Sequence, residues 1–331
     1  MRAVRVRNHL LQQLSDGGFH SGQQLAQNLG ISRSAVWKQI QRLESDLGLS
    51  ISAVRGRGYR LSRPLELLNA GRIRSEFSPL ATASIEVLSL LPTTDSTNSC
   101  ASRDLPRESG CARVWLAEHQ TEGRGRRGRR WVSTFGENLY VSVARRFDLP
   151  MTELAGLSLV VGVVLAEVLA HLGFEGHSVK WPNDILVGER KLAGILVEAS
   201  GEADGPATAV LGIGVNLRLH ETQGGQIDQP WTDLSREGLL SISRNQMAGI
   251  LIDRLIHACQ VYDDKRLAPF LDRWNAYDGF VDQPVWLSRG GRSVAGTYRG
   301  ITPSGAMILE DASGRSEHHA GEVSLRRKGE I

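Results

Sequence analysis

The run Leu157–Leu172 is apolar almost without a break, interrupted only by Ser158, Glu167 and His171. It falls short of the roughly twenty uncharged residues that a membrane span needs. A helix that is apolar on all sides must instead be enclosed by other elements, so it demands a sizeable folded body around it. The sequence on either side supplies one. Strands are expected over Ile85–Leu91, Arg113–His119, Glu137–Arg146, Lys191–Ala199 and Ala207–Leu217. Helices are expected over Leu154–Leu172 and Asn245–Tyr262, the latter with Met247, Ile250, Leu251, Leu255 and Ala258 on one face. Interleaved elements of this kind describe an α/β (α+β) domain with a mixed sheet, over residues 64–275.

The 331 residues leave room for more than one domain. Residues 1–63 carry ten Lys/Arg and three Asp/Glu, a balance of +7, whereas the remainder balances at −4. A basic head on a slightly acidic body points to a polyanionic partner for the head. Its pattern is helix, helix, turn, helix, hairpin. Leu10, Leu11 and Leu14 share one face with Val4, Ser21 starts a second helix with Gln24 at the capping-box position, and Gly30 makes a sharp turn. Ser32 caps a third helix carrying Val36, Ile40, Leu43 and Leu47. This is a helix-turn-helix signature, which aims Arg33, Ser34, Trp37 and Lys38 at a major groove. Arg55 and Arg57, flanking Gly56 in an alternating segment, form a wing suited to phosphates. After Phe280, short strands broken at Gly290-Gly291, Pro303-Ser304-Gly305 and Ser313-Gly314 predict a small antiparallel barrel over residues 276–331.

Cys100, Cys111 and Cys259 have neither metal-binding spacing nor the even count of a disulfide framework. Met1–Arg7 leads into no apolar segment of signal type. The expected location is the cytoplasm, with no membrane partner.

Five arginines and three glycines alternate through Gly123–Arg130, followed by Trp131. Glycines let backbone N–H groups approach a ligand, and arginine forks suit phosphate and carboxylate oxygens. Such a loop should be mobile until an anion neutralises it. Taken alone, the run favours a solvated basic loop or nucleic-acid patch over a ligand-binding loop. Other segments add polar groups. Asp95-Ser96-Thr97-Asn98 offers short hydroxyls and an amide. Lys180 and Lys191 bring cations, and Asp184 a hard oxygen for Mg²⁺. Gly212-Ile213-Gly214-Val215-Asn216 lacks the third glycine of a dinucleotide fingerprint and reads as a strand in close backbone contact.

Together, Asp95–Asn98, Gln120 with Gly123–Arg129, Lys180–Asp184 and Arg190–Glu198 resemble the bacterial biotin–protein ligases, specifically the bifunctional ligases that also repress the biotin operon. The resemblance spans nearly the whole chain. It implies an N-terminal winged helix-turn-helix, a ligase domain and an SH3-like β-barrel. It implies ATP, biotin and Mg²⁺ as substrates and cofactor, with biotinoyl-5′-AMP as intermediate and corepressor. The biotin carboxyl carrier protein, biotin operon DNA and an adenylate-bound homodimer are the implied partners. Ser96, Thr97, Asn98, Gln120, Arg124, Gly125, Arg126 and Lys191 then match biotin-binding positions. Trp131, Asn183, Asn216 and Trp231 match adenylate-binding ones. Lys191, Lys180, Arg126 and Asp184 are the implied catalytic set, with Asp184 also a candidate base. Thr222 and Gln226 depart from the apolar residues common in the family. A lipoate ligase, a ligand-sensing transcription factor without turnover and a ligase without operator binding are the alternatives.

Overall fold

The computed structural model describes residues 2–202, 204–219, 224–225, 227–239, 241–289, 292–320 and 323–327. The head consists of α1 (Arg2–Leu14), α2 (Gly22–Leu29), α3 (Arg33–Leu47) and a hairpin, β1 (Ile51–Val54) with β2 (Gly58–Leu61). Both expected caps form: Ser21 Oγ accepts from Gln24 N at 3.1 Å and Ser32 Oγ from Ala35 N at 3.2 Å. Gly30 ends α2 in the left-handed region at φ 62°, which permits the tight turn into α3. Leu10, Leu14, Leu25, Val36, Ile40 and Leu43 fill the head's core. Phe135, from the central body, completes that core and is only 2 % exposed.

The central body begins with two short helices, α4 (Ala70–Arg74) and α5 (Pro79–Ser84), and is built on a seven-stranded sheet. Its strands are β3 (Ile85–Leu91), β4 (Ala112–Ala117), β5 (Leu139–Phe147), β6 (His177–Lys180), β7 (Asp184–Val187), β8 (Arg190–Gly201) and β9 (Ala207–Val215). They lie in the order β3-β4-β5-β9-β8-β7-β6. Only β3 and β4 are parallel, joined by the crossover helix α6 (Thr97–Arg103); the other pairs are antiparallel. The apolar run forms α7 (Leu157–His171), which touches β6, β7, β8 and β9 as well as the helices α8 (Arg244–Lys265) and α9 (Leu271–Tyr277). Enclosure between sheet and helices accounts for its apolar circumference. By length and composition Met151–His171 is apolar enough to cross a membrane, yet it is mostly buried within the fold.

The sequence pattern anticipated β3, β4, β5, β8 and β9 within a few residues. It did not anticipate β6 and β7, where Lys180 pairs with Asp184 across a tight hairpin turn. Short strands bounded by Trp-Pro-Asn carry too little periodicity to separate from a loop.

The C-terminal part is a five-stranded antiparallel sheet of β10 (Pro284–Arg289), β11 (Arg292–Ile301), β12 (Met307–Asp311), β13 (Gly314–His318) and β14 (Val323–Arg327), ordered β13-β12-β11-β10-β14. The turn expected at Gly290-Gly291 lies outside the described residues. Val285, Leu287, Tyr298, Met307 and Leu309 join the central core, and Trp181 Nε1 donates to Gly305 O at 3.1 Å. Asp278 accepts from Tyr298 Oη at 2.7 Å and Trp274 Nε1 at 3.0 Å at this junction; burial pushes its carboxyl up.

The connector from the head is tied down by charge and hydrogen bonds. Arg63 pairs with Glu137 at 2.7 Å. Glu66 accepts from Ser243 Oγ, Arg244 N and Asn245 Nδ2, all within 2.9 Å. Buried Arg244 in turn donates to Glu118 at 2.9 Å and to the carbonyls of Glu66 and Gly136.

Candidate active site

The site is a crevice over β8 and β9. Its polar end is set by the loop before α6. Thr94 N donates to His119 O and Thr121 N to Thr94 O, which lays this loop beside residues 119–121. Gln120 Oε1 consequently accepts from Thr97 N at 2.8 Å and Thr97 Oγ1 at 3.1 Å. Asp95 braces the turn: its partial burial is outweighed by the Ser96 N–H, the Thr94 hydroxyl and Arg103, which hold the carboxyl below its usual range. Ser96, Thr97, Asn98 and Gln120 are all buried.

The floor is glycine. Gly212 and Gly214 lie on one face of β9, with Gly194 paired to Gly214 from β8. A Cβ on Gly212 would fall 2.0 Å from Asn98 Oδ1, and one on Gly214 would fall 2.5 Å from Trp131 Cε2. One on Gly194 would meet the same indole at 2.8 Å. Asn98 and Trp131 therefore lie directly on backbone, in space that only glycine leaves open.

Over this floor sits the arginine loop. It forms a folded turn. Trp131 N donates to Gly123 O at 2.8 Å, Gly125 N to Arg129 O at 2.7 Å, and Arg124 bridges Arg130. Arg126 Nη1 donates to Asn183 Oδ1 at 3.0 Å and Nη2 to Ala320 O. Burial pushes the Arg126 guanidinium down from its ordinary value. Backbone pairing and neutral oxygen partners thus hold the charged loop in one shape. Arg124 Nη2 lies 2.8 Å from Glu198 Oε2.

Lys191 closes the other end. Its Nζ stands 2.8 Å from Asp184 Oδ1 and 5.6 Å from the centre of the Trp131 ring. The crevice thus brings together Ser96, Thr97, Asn98, Gln120, Arg124, Gly125, Arg126, Trp131, Asn183 and Lys191. Four other expected residues stand behind the lining. Lys180 pairs with Asp184 across the hairpin and lies 5.4 Å from the Phe280 ring centre. Asp184 reaches the crevice through its ion pair with Lys191 and through its charge on Arg126. Asn216 is buried and donates to Thr232 O at 3.1 Å, tying the end of β9 to the following loop. Trp231 bridges Lys191 by backbone, with Lys191 N donating to Pro230 O at 2.9 Å, and its ring faces Arg236 at 4.3 Å. Thr222 and Gln226 lie outside the described residues.

Two contributors escaped the sequence reading. Ser142 Oγ, fully buried on β5, lies 2.8 Å from Thr97 Oγ1 and 2.6 Å from Asn98 Oδ1. A serine inside the mostly apolar stretch Leu139–Ala144 was the available signal, since buried hydroxyls need partners. Glu198 was visible only as the end of a motif.

At the head, Arg33, Ser34, Trp37, Lys38, Arg55 and Arg57 are all exposed, Trp37 to 52 %. Arg57 lies over the Phe19 ring at 4.0 Å, holding one wing cation in place.

A mixed sheet carrying an arginine loop, a hydroxyl–amide end and a lysine in one crevice places this chain in a known class: it belongs to the biotin/lipoate A/B protein ligase family, which matches residues 90–216. A helix-turn-helix domain matches residues 6–60 and the biotin protein ligase C-terminal domain residues 280–326. More particularly, the chain is similar to the bifunctional ligase/repressor BirA of Salmonella typhimurium, 42 % identical over 98 % of this chain and 99 % of the relative. The biotin–[acetyl-CoA-carboxylase] ligase of Paracoccus denitrificans is 33 % identical over 71 % of this chain and 98 % of its own. Among solved structures, the biotin protein ligase of Aquifex aeolicus in complex with biotin and ATP superposes with a TM-score of 0.61 at 26 % identity, covering 73 % of this chain and 99 % of that one.

Proposed function

We propose that this protein is an ATP-dependent biotin–protein ligase that forms biotinoyl-5′-AMP, transfers biotin to a lysine of the biotin carboxyl carrier protein of acetyl-CoA carboxylase, and represses the biotin operon through its head. The observation that carries this reading is the meeting of a hydroxyl–amide end, an arginine loop and Lys191 in one crevice.

The chemistry is a problem of like charges. A carboxylate attacking the α-phosphorus of ATP sets two anions at about 4 Å, a repulsion of about 4 kcal/mol at an effective dielectric near 20. Lys191, Arg124 and Arg126 supply preorganised positive charge against it. Partly buried Asp184 holds the Lys191 ammonium in place. Gln120, with its carbonyl already engaged by Thr97, presents its amide N–H groups to the biotin ring end. Trp131, Asn183, Asn216 and Trp231 serve the adenylate, the last two by fixing the strand ends around it. Mg²⁺ would supply further neutralisation of the phosphates, with Asp184 the side chain to hold it. Among the described residues no cluster of three metal-binding side chains exists, and Asp184 offers a single carboxylate.

Carboxylate attack expels pyrophosphate. The carrier lysine then attacks the acyl carbon and AMP departs. The loop shields the mixed anhydride from water. For repression, adenylate-bound protein forms a homodimer whose paired heads meet two operator half-sites. The deciding experiment is ATP-dependent transfer of labelled biotin to purified carrier protein. Transfer of lipoate instead, or none, would overturn the ligase assignment. Sedimentation unchanged by biotin and ATP would overturn the dimer switch, and a failed mobility shift with the organism's biotin promoter the repressor role.

A further inference from the structure

Both N–H groups of the Asn98 carboxamide are engaged. Its Nδ2 donates to Leu196 O at 3.2 Å and to Glu198 Oε2 at 2.9 Å, while its Oδ1 lies 2.6 Å from Ser142 Oγ. With the amide lying directly on Gly212, this side chain has one orientation. The oxygen of Glu198 that receives it also receives Arg124 Nη2, at 2.8 Å. One carboxylate oxygen therefore joins the floor of the crevice to the loop above it.

We infer that Glu198 is a positioning residue: it sets Asn98 from one side and draws Arg124 down from the other, so that the loop closes over a correctly set floor. The inference rests on the ligase reading for what the loop encloses, though not for the contact itself. The side chains of Arg124 and Glu198 are 44 % and 36 % exposed. A pair so open to water is weak and screened by salt, which suits a latch that opens and shuts during turnover. The Asn98 contact is shielded, because Asn98 itself is buried. Loss of charge and loss of the acceptor should therefore have separable effects.

Glu198→Gln keeps an oxygen for Asn98 and removes the charge facing Arg124. Glu198→Ala removes both. The first readout is the initial tryptic cut between Arg124 and Arg130 in ligand-free protein, located by mass spectrometry. Glu198→Gln should accelerate it by up to about fivefold, the range of an exposed ion pair. Raising salt should bring the natural protein toward that rate and leave the variant unmoved. The second readout is biotin-dependent ATP–pyrophosphate exchange. Glu198→Gln should raise KM for biotin by a similar factor with kcat little changed, and Glu198→Ala should lower kcat as well. Should Glu198→Ala fail to fold, Glu198→Gln and the salt series still decide. Cleavage of Glu198→Gln at the natural rate, with the natural salt response, would overturn the inference. Absence of exchange in the unsubstituted protein would remove the ligase reading instead, with the tryptic comparison still judging Glu198.

Discussion

Gly214→Ala should separate stability from activity. Gly214 sits mid-sheet, paired with Tyr140 on β5 and Gly194 on β8, and its φ is not positive. Alanine therefore fits the backbone, and reduced freedom of the unfolded chain favours the folded state by about 0.4–1 kcal/mol. The added methyl, however, would lie 2.5 Å from Trp131 Cε2, where ordinary contact begins at 3.4 Å. The indole must retreat by about 0.9 Å. Another neighbour is Lys191 Nζ, so the displacement reaches the cation that the proposed function sets against the reacting carboxylate. A misplacement near 1 Å at a reacting centre can lower the rate about 100-fold. The expected result is a melting temperature equal to or slightly above that of the natural protein, with kcat/KM for pyrophosphate exchange reduced by one to two orders of magnitude. An unchanged kcat/KM, with Trp131 fluorescence also unchanged, would refute the steric argument. Gly212→Ala makes the contrast: its methyl would meet Asn98, which is pinned by three partners, so that variant should lose stability too.

Lys191→Ala removes one preorganised charge and should reduce pyrophosphate exchange by about 10²–10³-fold; a normal exchange rate would dismiss Lys191 from adenylate formation. Lys38→Ala at the exposed start of α3 should flatten the log–log salt dependence of operator binding by about one unit. An unaltered slope, measured by fluorescence anisotropy, would put Lys38 away from phosphate. Glu66 is partly buried, but the hydrogen bonds from Asn245, Ser243 and Arg244 outweigh that and hold its carboxyl below the ordinary 4.5. Its folded value is lowered, so its stabilising effect is present above pH 4.5 and lost as pH falls through the folded value. Glu66→Gln should therefore lessen the decline of the urea midpoint below pH 4.5, and an identical decline would count against the sign.

The head, the buried helix and five sheet strands were legible because each carries a local signal: caps, a glycine turn, period, or unbroken apolar character. The arginine loop was legible as charge but not as shape. Arg126 finds Asn183 and Ala320 from distant parts of the chain, partners that no local signal announces. Ser142 and Glu198 act across strand pairings that a linear reading does not supply. Asn216 illustrates the converse: the residue was conspicuous in sequence, yet its amide is engaged by a backbone carbonyl.

Phe135 follows Trp131 by four residues and belongs to the buried core of the head, together with Leu10, Leu14 and Leu65. The two parts of this protein are therefore not beads on a string. A fragment stopping at residue 63 would fold around a vacancy the size of a phenyl ring, and a fragment starting after it would hold that ring out to water. Recombination that swapped one head for another would have to carry a matching phenylalanine pocket with it. The ring thus makes the two activities heritable as a unit, which a cut in the chain alone would not predict.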